Sequence, residues 1–162
     1  MSYKITYSIP PDVAVKDRVE SIRKQVEGRS YKAANELRNS ALFILRGQRS
    51  GRRYKIPGTY RRQRDKADGK MKNGRYYTAS APGEPPAVRT GAFRNSWQST
   101  ALKEGDLYIS RIESDAKTDG GQYNLGEILE EGTSRMAPRP YVEKTLERAE
   151  PQIFRFFSEP YD

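Results

Sequence analysis

Residues 130–141, Glu-Glu-Gly-Thr-Ser-Arg-Met-Ala-Pro-Arg-Pro-Tyr, are the stretch of sequence that decides the fold of the C-terminal half. The spacing of Leu125, Ile128 and Leu129 before this stretch is that of a helix. Gly132 stands where a helix needs a left-handed residue after its last turn. The stretch therefore predicts the end of one helix, a tight corner and the start of a second helix.

The residues that flank this corner predict how each helix begins. Asn124 suits the N-cap of the first helix, and Glu127 three residues later completes a capping box. Pro138 and Pro140 can begin the second helix, because N–H groups in a first turn have no partner inside the helix. Pro151 predicts a kink or a restart in that second helix. Its apolar stripe is Val142, Leu146, Ala149 and Ile153.

A second stretch, rich in proline and glycine, precedes the corner. Residues 77–91 read Tyr-Thr-Ala-Ser-Ala-Pro-Gly-Glu-Pro-Pro-Ala-Val-Arg-Thr-Gly, and Ala-Phe-Arg-Asn-Ser-Trp follows at 92–97. Few free backbone donors remain in residues 81–87, which predicts an extended, stiff segment. Such a segment can reach a neighbouring subunit or form a rigid connection within one chain. Thr90 predicts the N-cap of a short turn of helix through Phe93.

These two stretches resemble motifs of a family of tailed-phage proteins, the tail-completion or neck proteins that join the DNA-filled head to the tail. The corner matches E-x-G-T-S-x-M-x-x-R-P, and the earlier stretch matches S-x-P-G-E-P-P-A-x-x-T-G-x-L-R-x-S in the family's order. Phe93 replaces the usual aliphatic residue. The matched positions are family-motif and candidate subunit-interface residues: Pro82, Gly83, Glu84, Pro85, Pro86, Thr90, Gly91, Glu131, Gly132, Thr133, Ser134, Arg135, Met136, Arg139 and Pro140.

The resemblance implies a structural protein of the virion. It implies a hexameric ring that lies between the head-completion or connector proteins and the tail-tube protein, with genomic DNA in its channel. The ring would be assembled in the host cytoplasm and end in the phage neck. Closure of such a ring needs a heterologous interface, in which one patch binds a different patch on the next copy. We assign that interface to the proline-rich segment, the corner and part of a basic arm.

Length and composition indicate a single domain, residues 1–162, with a modest core. Only 35% of the 162 residues are hydrophobic, 31% are charged, and the mean hydropathy is −0.95, which is polar for a globular domain. We therefore expect neighbouring copies to cover apolar surface that one chain leaves exposed. No apolar run approaches the roughly 20 residues of a membrane span, so we expect no membrane contact.

The charge of the chain is concentrated in one arm, residues 47–76. Residues 46–75 contain twelve basic and two acidic residues, so their net charge is +10. The whole chain has a net charge of +9, so the charges of all other residues sum to −1. Five glycines and little periodicity predict a long loop or a protruding hairpin. The residues predicted to contact DNA or a partner are Arg49, Arg52, Arg53, Lys55, Arg61, Arg62, Arg64, Lys66, Lys70, Lys72 and Arg75.

Two interpretations of this arm remain open. Clustered Lys and Arg supply sequence-independent contacts to phosphates, and Tyr54 and Tyr60 can stack on bases. The same charge suits a solvated arm, or an arm that docks on an acidic neighbouring protein. The first interpretation gives an alternative function, a stand-alone nucleic-acid-binding module.

The rest of the chain predicts an α+β fold. Residues 3–9 alternate as a strand, and a long amphipathic helix follows from Asp12, with Gly28 as a point where it splits or kinks. Residues 95–102 and 106–114 predict an antiparallel hairpin. Its candidate buried residues are Trp97, Tyr108, Ile109 and Ile112. We expect a small antiparallel sheet packed against the long N-terminal helix and a C-terminal helix, with the basic loop or hairpin arm protruding.

Catalysis has little support in the sequence. The chain contains no cysteine and no histidine, which removes thiolate nucleophiles, the commonest general base and Cys/His zinc sites. Glu113 and Asp115 share one face of a predicted strand, but acidic pairs at strand ends are usually solvated. With no P-loop, dinucleotide fingerprint or nucleophile elbow, we expect no enzyme and no cofactor.

Overall fold

The computed structural model describes residues 11–56 and 76–161. Within these ranges the elements in chain order are α1 (Pro11–Arg46), β1 (Arg53–Lys55), β2 (Tyr76–Thr78), α2 (Ala92–Asn95), β3 (Trp97–Glu104), β4 (Leu107–Ser114), α3 (Leu125–Glu131) and α4 (Val142–Ser158). The predicted strand at residues 3–9 lies outside the described residues. So do seven of the predicted contact residues: Arg61, Arg62, Arg64, Lys66, Lys70, Lys72 and Arg75.

The predicted α+β arrangement is confirmed. The long helix α1 packs against α4 and against both strands of the β3–β4 hairpin. The hairpin is antiparallel, with a register that runs from Trp97↔Ser114 to Glu104↔Leu107. Gly105 begins its two-residue turn with φ +59°, a conformation that suits glycine. A second antiparallel pair, β1 with β2, forms the base of the predicted arm.

The buried face of α1 consists mainly of small residues. Ala33, Ala34 and Ala41 are each 1% exposed, and Leu45 is the largest fully buried side chain. Gly28 does not interrupt the helix, so the predicted split is wrong. Small side chains allow helices and strands to approach closely, but each buries little apolar area. The core described here is therefore thin, as the composition predicts.

The first turns of α1 depart from the predicted stripe. Side chains 13–20 are all exposed, and the exposed fractions of Val15 and Val19 are 62% and 42%. The apolar pattern was sufficient to predict the helix, but it did not show at which residue the buried face of the helix begins. Exposed Arg18 contacts the C-terminal end, since its guanidinium donates to the carbonyl of Tyr161 at 2.7 Å. The first buried side chain among those described in α1 is Arg29, whose guanidinium donates to the carbonyls of Glu159 and Pro160 at 2.6 and 2.5 Å.

The second long helix, α4, runs from Val142 through Pro151 without a restart. Its buried residues are Thr145 and Ala149, whereas Val142 and Leu146 are 44% and 53% exposed. The predicted stripe is therefore confirmed at Ala149 and wrong at Val142 and Leu146. Thr145 can be buried because its hydroxyl donates to the carbonyl of Tyr141 at 2.7 Å, which satisfies its polar atom.

The four residues predicted to be buried in the β3–β4 hairpin lie on its strands, but none of them is fully buried. Trp97, Tyr108, Ile109 and Ile112 are all half-buried. The strands begin and end within two residues of their predicted limits. A two-stranded sheet has one face on α1 and the other in solvent, so complete burial of such large side chains needs a further layer.

Candidate functional site

The corner of the first motif is held by the carboxylate of Glu130. Its Oε2 accepts hydrogen bonds from the backbone N–H groups of Tyr141 and Val142, at 2.9 and 3.3 Å. These N–H groups lie at the start of α4 and have no acceptor within the helix, and a negative charge there is stabilised by the helix dipole. Glu130 on α3 therefore caps α4, a function that sequence reasoning missed.

Gly132 makes the tight turn possible. Its φ is +78°, and its N–H donates to the carbonyl of Ile128 at 2.9 Å. A Cβ at this position would lie 2.6 Å from the oxygen of Met136 and 2.7 Å from the nitrogen of Pro138. The predicted need for glycine is confirmed, although ψ of −170° is not that of a left-handed helical residue. Both the backbone conformation and the crowding exclude a side chain.

Three local predictions about helix starts need correction. Asn124 is the N-cap of α3, but its side chain makes no capping bond, and Leu125 N–H donates instead to the carbonyl of Ala116 at 2.9 Å. The N-cap of α2 is Gly91, although the hydroxyl of Thr90, the predicted cap, accepts from the N–H of Ala92 at 3.3 Å. Pro138 and Pro140 precede α4 instead of forming its first turn, because Glu130 fixes the helix start at Val142.

The proline-rich segment is fastened by Glu84. Its carboxylate accepts from the Ser50 hydroxyl at 2.6 Å, from the Ser50 N–H at 3.0 Å and from the Ala81 N–H at 2.9 Å. Hydrogen bonds from the Ser50 side chain, then from the Ser50 and Ala81 backbones, lower the pKa of Glu84 to about 2. These bonds favour the second alternative, a rigid connection within one chain, and a contact with a neighbouring subunit stays a prediction.

The same segment is tied to the corner and to α4. Gly83 N–H donates to the carbonyl of Pro138 at 3.2 Å, and the Lys144 ammonium donates to the carbonyl of Gly83 at 3.2 Å. The Arg49 guanidinium donates to the carbonyl of Pro86, at 3.0 Å from Nη2. These bonds join parts of the chain that are far apart in sequence. We call the unit that they hold together, the proline-rich segment 81–87 and the corner 130–141, the locked corner.

Arg49 belongs to the locked corner more than to the arm. Besides Pro86, its guanidinium donates to the carbonyls of Ile44 and Gln48 at 2.8 and 2.9 Å. Burial lowers its pKa, and the charge of Glu84 opposes that shift. This geometry favours a structural function for Arg49, whereas its contact with DNA or a partner stays a prediction.

An aromatic cluster joins the two motifs directly. The rings of Phe93, Trp97 and Tyr141 meet edge to face, with centroids 5.7–5.8 Å apart. Burial, and then the charge of Glu130, raise the pKa of Tyr141 to about 12. Gly126 leaves room for this ring, since a Cβ there would lie 2.8 Å from the Tyr141 hydroxyl. One motif supplies Phe93 and the other Tyr141, so the motifs form one structural unit.

The base of the arm is a short hairpin that presents cations and aromatic rings. Tyr54 and Tyr77 lie opposite each other in the β1–β2 register and stack with centroids 5.8 Å apart. The guanidinium carbon of Arg53 lies 4.6 Å from the centroid of Tyr76, and that of Arg52 lies 5.5 Å from Tyr54. Tyrosine rings thus hold these exposed arginines at the surface.

Beside this hairpin lies a cleft of about 780 Å³, bordered by the proline-rich segment and α3. Leu45, Phe93, Leu125 and Leu129 form its apolar part, and Asp119 is its acidic residue. We call it the basic cleft, after four further lining residues: Arg89, Arg94, Lys117 and Arg139. Sequence reasoning named Arg139 only as part of a motif and did not predict that these four residues meet, because they come from different loops and helices.

One of the two carboxylates considered for catalysis is paired with a cation. Glu113 forms an ion pair with Arg111 at 2.9 Å, and both side chains are about half exposed. Among residues 11–56 and 76–161, no group of three or more His, Cys, Asp or Glu side chains could hold a metal ion. In the same ranges, no helix has the length and apolar character needed to cross a membrane.

Comparison with known proteins adds no relative. No family model, no curated protein and no solved structure matches the chain.

Proposed function

We propose that this chain is a structural virion protein of a tailed bacteriophage, a tail-completion or neck subunit that forms a ring between the head connector and the tail tube. The observation that carries the proposal is that both motifs of the resemblance meet in the locked corner. The Gly83–Pro138 hydrogen bond and the Phe93–Tyr141 contact join them. Residues from both motifs thus contribute to one rigid scaffold, which supports the view that the two motifs belong together.

The charge distribution supports a joining function over a chemical one. The locked corner uses its polar groups internally, through Glu84 and Glu130. The neighbouring hairpin presents exposed Arg52, Arg53 and Lys55, and the chain has a net charge of +9. A fixed scaffold with a basic projection suits a protein that contacts an acidic neighbour or DNA in a channel.

Loss of the gene in its phage tests this proposal. We expect cells infected with a null mutant to accumulate DNA-filled heads and separate tails, which electron microscopy of lysates would count. Plasmid-borne wild-type protein should restore joined particles. A variant in which Gly and Ser replace residues 57–75 should fold but restore few of them. Joined, infectious particles at normal yield without the protein would overturn the proposal.

The alternative, a stand-alone nucleic-acid-binding module, is favoured by one observation. Tyr54 and Tyr77 are stacked, and Arg52 lies over Tyr54, a combination that suits phosphates and bases. This alternative predicts tight binding of short DNA by the isolated protein and a steep loss of affinity with salt. Fluorescence anisotropy with a labelled oligonucleotide measures both. Tight binding, together with normal head–tail joining in the null mutant, would favour the module over the ring subunit.

A further inference from the structure

The face of α4 opposite its buried residues carries an unusual set of side chains. Thr145 and Ala149 face the core. On the opposite side, exposed residues follow one another at spacings of four, three, four and three. We call these residues the outer stripe: Glu143, Glu147, Glu150, Phe154 and Phe157.

Two properties make the outer stripe a candidate contact surface. Phe154 is 75% exposed and Phe157 is 38% exposed, although the solvent face of a helix is usually polar. Along the described part of the chain, Glu143, Glu147 and Glu150 form no ion pair. The stripe therefore combines exposed aromatic surface, chiefly that of Phe154, with negative charge that no ion pair among the described residues neutralises.

The basic cleft has the complementary properties. The side chains of Arg89 and Lys117 are exposed, and within residues 11–56 and 76–161 neither forms an ion pair or a hydrogen bond. Part of the cleft is apolar, with half-buried Phe93, Leu125 and Leu129 in its wall. A ligand that satisfies both parts must carry carboxylates beside bulky apolar groups, as the outer stripe does.

We propose that the outer stripe of one copy binds in the basic cleft of the next copy. This inference rests on the proposed ring and identifies the interface that closes it. The two surfaces differ, so the contact is heterologous and can repeat from copy to copy, as a ring requires. Within one chain the stripe stays exposed, so its own cleft does not cover it.

A second copy fits this cleft better than DNA does. Phosphates would neutralise Arg89 and Lys117 but would leave the apolar wall without a partner. Phe154 would also stay in water, and burial of apolar surface is the main gain in protein–protein contacts. Opposite charges around that apolar contact would set its register and orientation.

A charge-swap experiment tests the interface. One variant reverses the cleft, with Arg89→Glu and Lys117→Glu. A second reverses the stripe, with Glu147→Lys and Glu150→Lys, which avoids the first turn of α4. The control carries Arg23→Glu and Lys24→Glu on the exposed N-terminal part of α1. Sedimentation at low salt measures self-association, and circular dichroism verifies that each variant is folded.

We expect each reversed variant alone to associate at least ~100-fold more weakly than the wild type, because like charges then face each other across the interface. An equimolar mixture of the two should regain association, since every junction in an alternating assembly pairs opposite charges. The control should associate like the wild type. Wild-type association by the reversed variants, or failure of their mixture to recover, overturns the interface.

Engineered cysteines give a second, geometric test, and the chain contains no cysteine that could interfere. A protein with Arg89→Cys is mixed with one carrying Glu147→Cys and oxidised gently. We expect a disulfide-linked dimer from the mixture and far less from either protein alone. The pair Arg23→Cys and Glu147→Cys is the control. Equal yields from both pairs, or no linked dimer, contradict the proposed contact.

The interface and the proposed function can fail separately. If the charge-swap variants associate like the wild type while heads and tails stay unjoined in the null mutant, the proposed interface is wrong but the proposed neck function is supported. Wild-type protein that stays monomeric at low salt also overturns the interface. Normal joining in the null mutant removes the function, whether or not copies associate.

Discussion

The locked corner and the basic cleft lie side by side but use their polar groups in opposite ways. In the locked corner, Glu84 accepts three hydrogen bonds and Glu130 accepts two, all from the same chain. In the cleft, Arg89 and Lys117 make no such bond to any described residue. The difference separates two tasks. Glu84 and Glu130 build the scaffold, and Arg89 and Lys117 are the side chains that we propose bind a partner.

The comparison predicts its largest stability effect at Gly132. Gly132→Ala should lower the free energy of unfolding by about 2–3 kcal/mol, because the Cβ meets the backbone of Met136 and Pro138 at a positive φ. Gly83→Ala is a matched control, with φ of +77° and open space around it, and should cost about 1 kcal/mol. Urea unfolding measures both. Equal losses would mean that crowding at the corner does not matter.

A smaller effect is expected from the cap. Glu130→Ala removes the acceptor for the N–H groups of Tyr141 and Val142 and should cost about 1–2 kcal/mol. Glu131→Ala changes the adjacent, exposed carboxylate and should stay within about 0.5 kcal/mol of the wild type. If the two variants are equally stable, Glu130 is not the cap that the structure indicates.

The sequence predicted local features better than those that join distant residues. The limits of α1, the β3–β4 hairpin and the glycine at the corner follow from periodicity and turn chemistry. The Glu130 cap depends on the path between residues 130 and 141, which pattern alone does not give. The buried face of α4 was predicted at Ala149 but missed at Thr145, because this residue looks polar in sequence but bonds its own backbone. The basic cleft collects residues from separate loops, and no local pattern links them.

The clamp at Glu84 predicts a dependence of stability on pH. The pKa of Glu84 is about 2 in the folded chain, whereas a glutamate without these hydrogen bonds has a pKa of 4.5. The folded value is the lower one, so this stabilisation is complete above about pH 4.5 and is lost as the pH falls towards 2. The stability difference between wild type and Glu84→Gln should shrink across that window. Glu113→Gln is the control, and a difference between wild type and Glu84→Gln that does not change with pH would contradict the clamp.

The smallest expected effect on stability lies in the cleft, and there the comparison is tested most sharply. Arg89→Glu with Lys117→Glu should leave the free energy of unfolding within about 0.5 kcal/mol of the wild type, since these exposed side chains support no described bond. The same variant should lose self-association. An unfolding free energy much below that of the wild type would show that the cleft belongs to the scaffold.

Sedimentation of that folded variant beside the wild type at low salt is the most direct measurement of the division between scaffold and contact surface. We predict that the wild type forms a defined assembly larger than the monomer and that the variant stays monomeric. An assembly of the same size from both proteins would contradict the assignment of the basic cleft as the contact between copies.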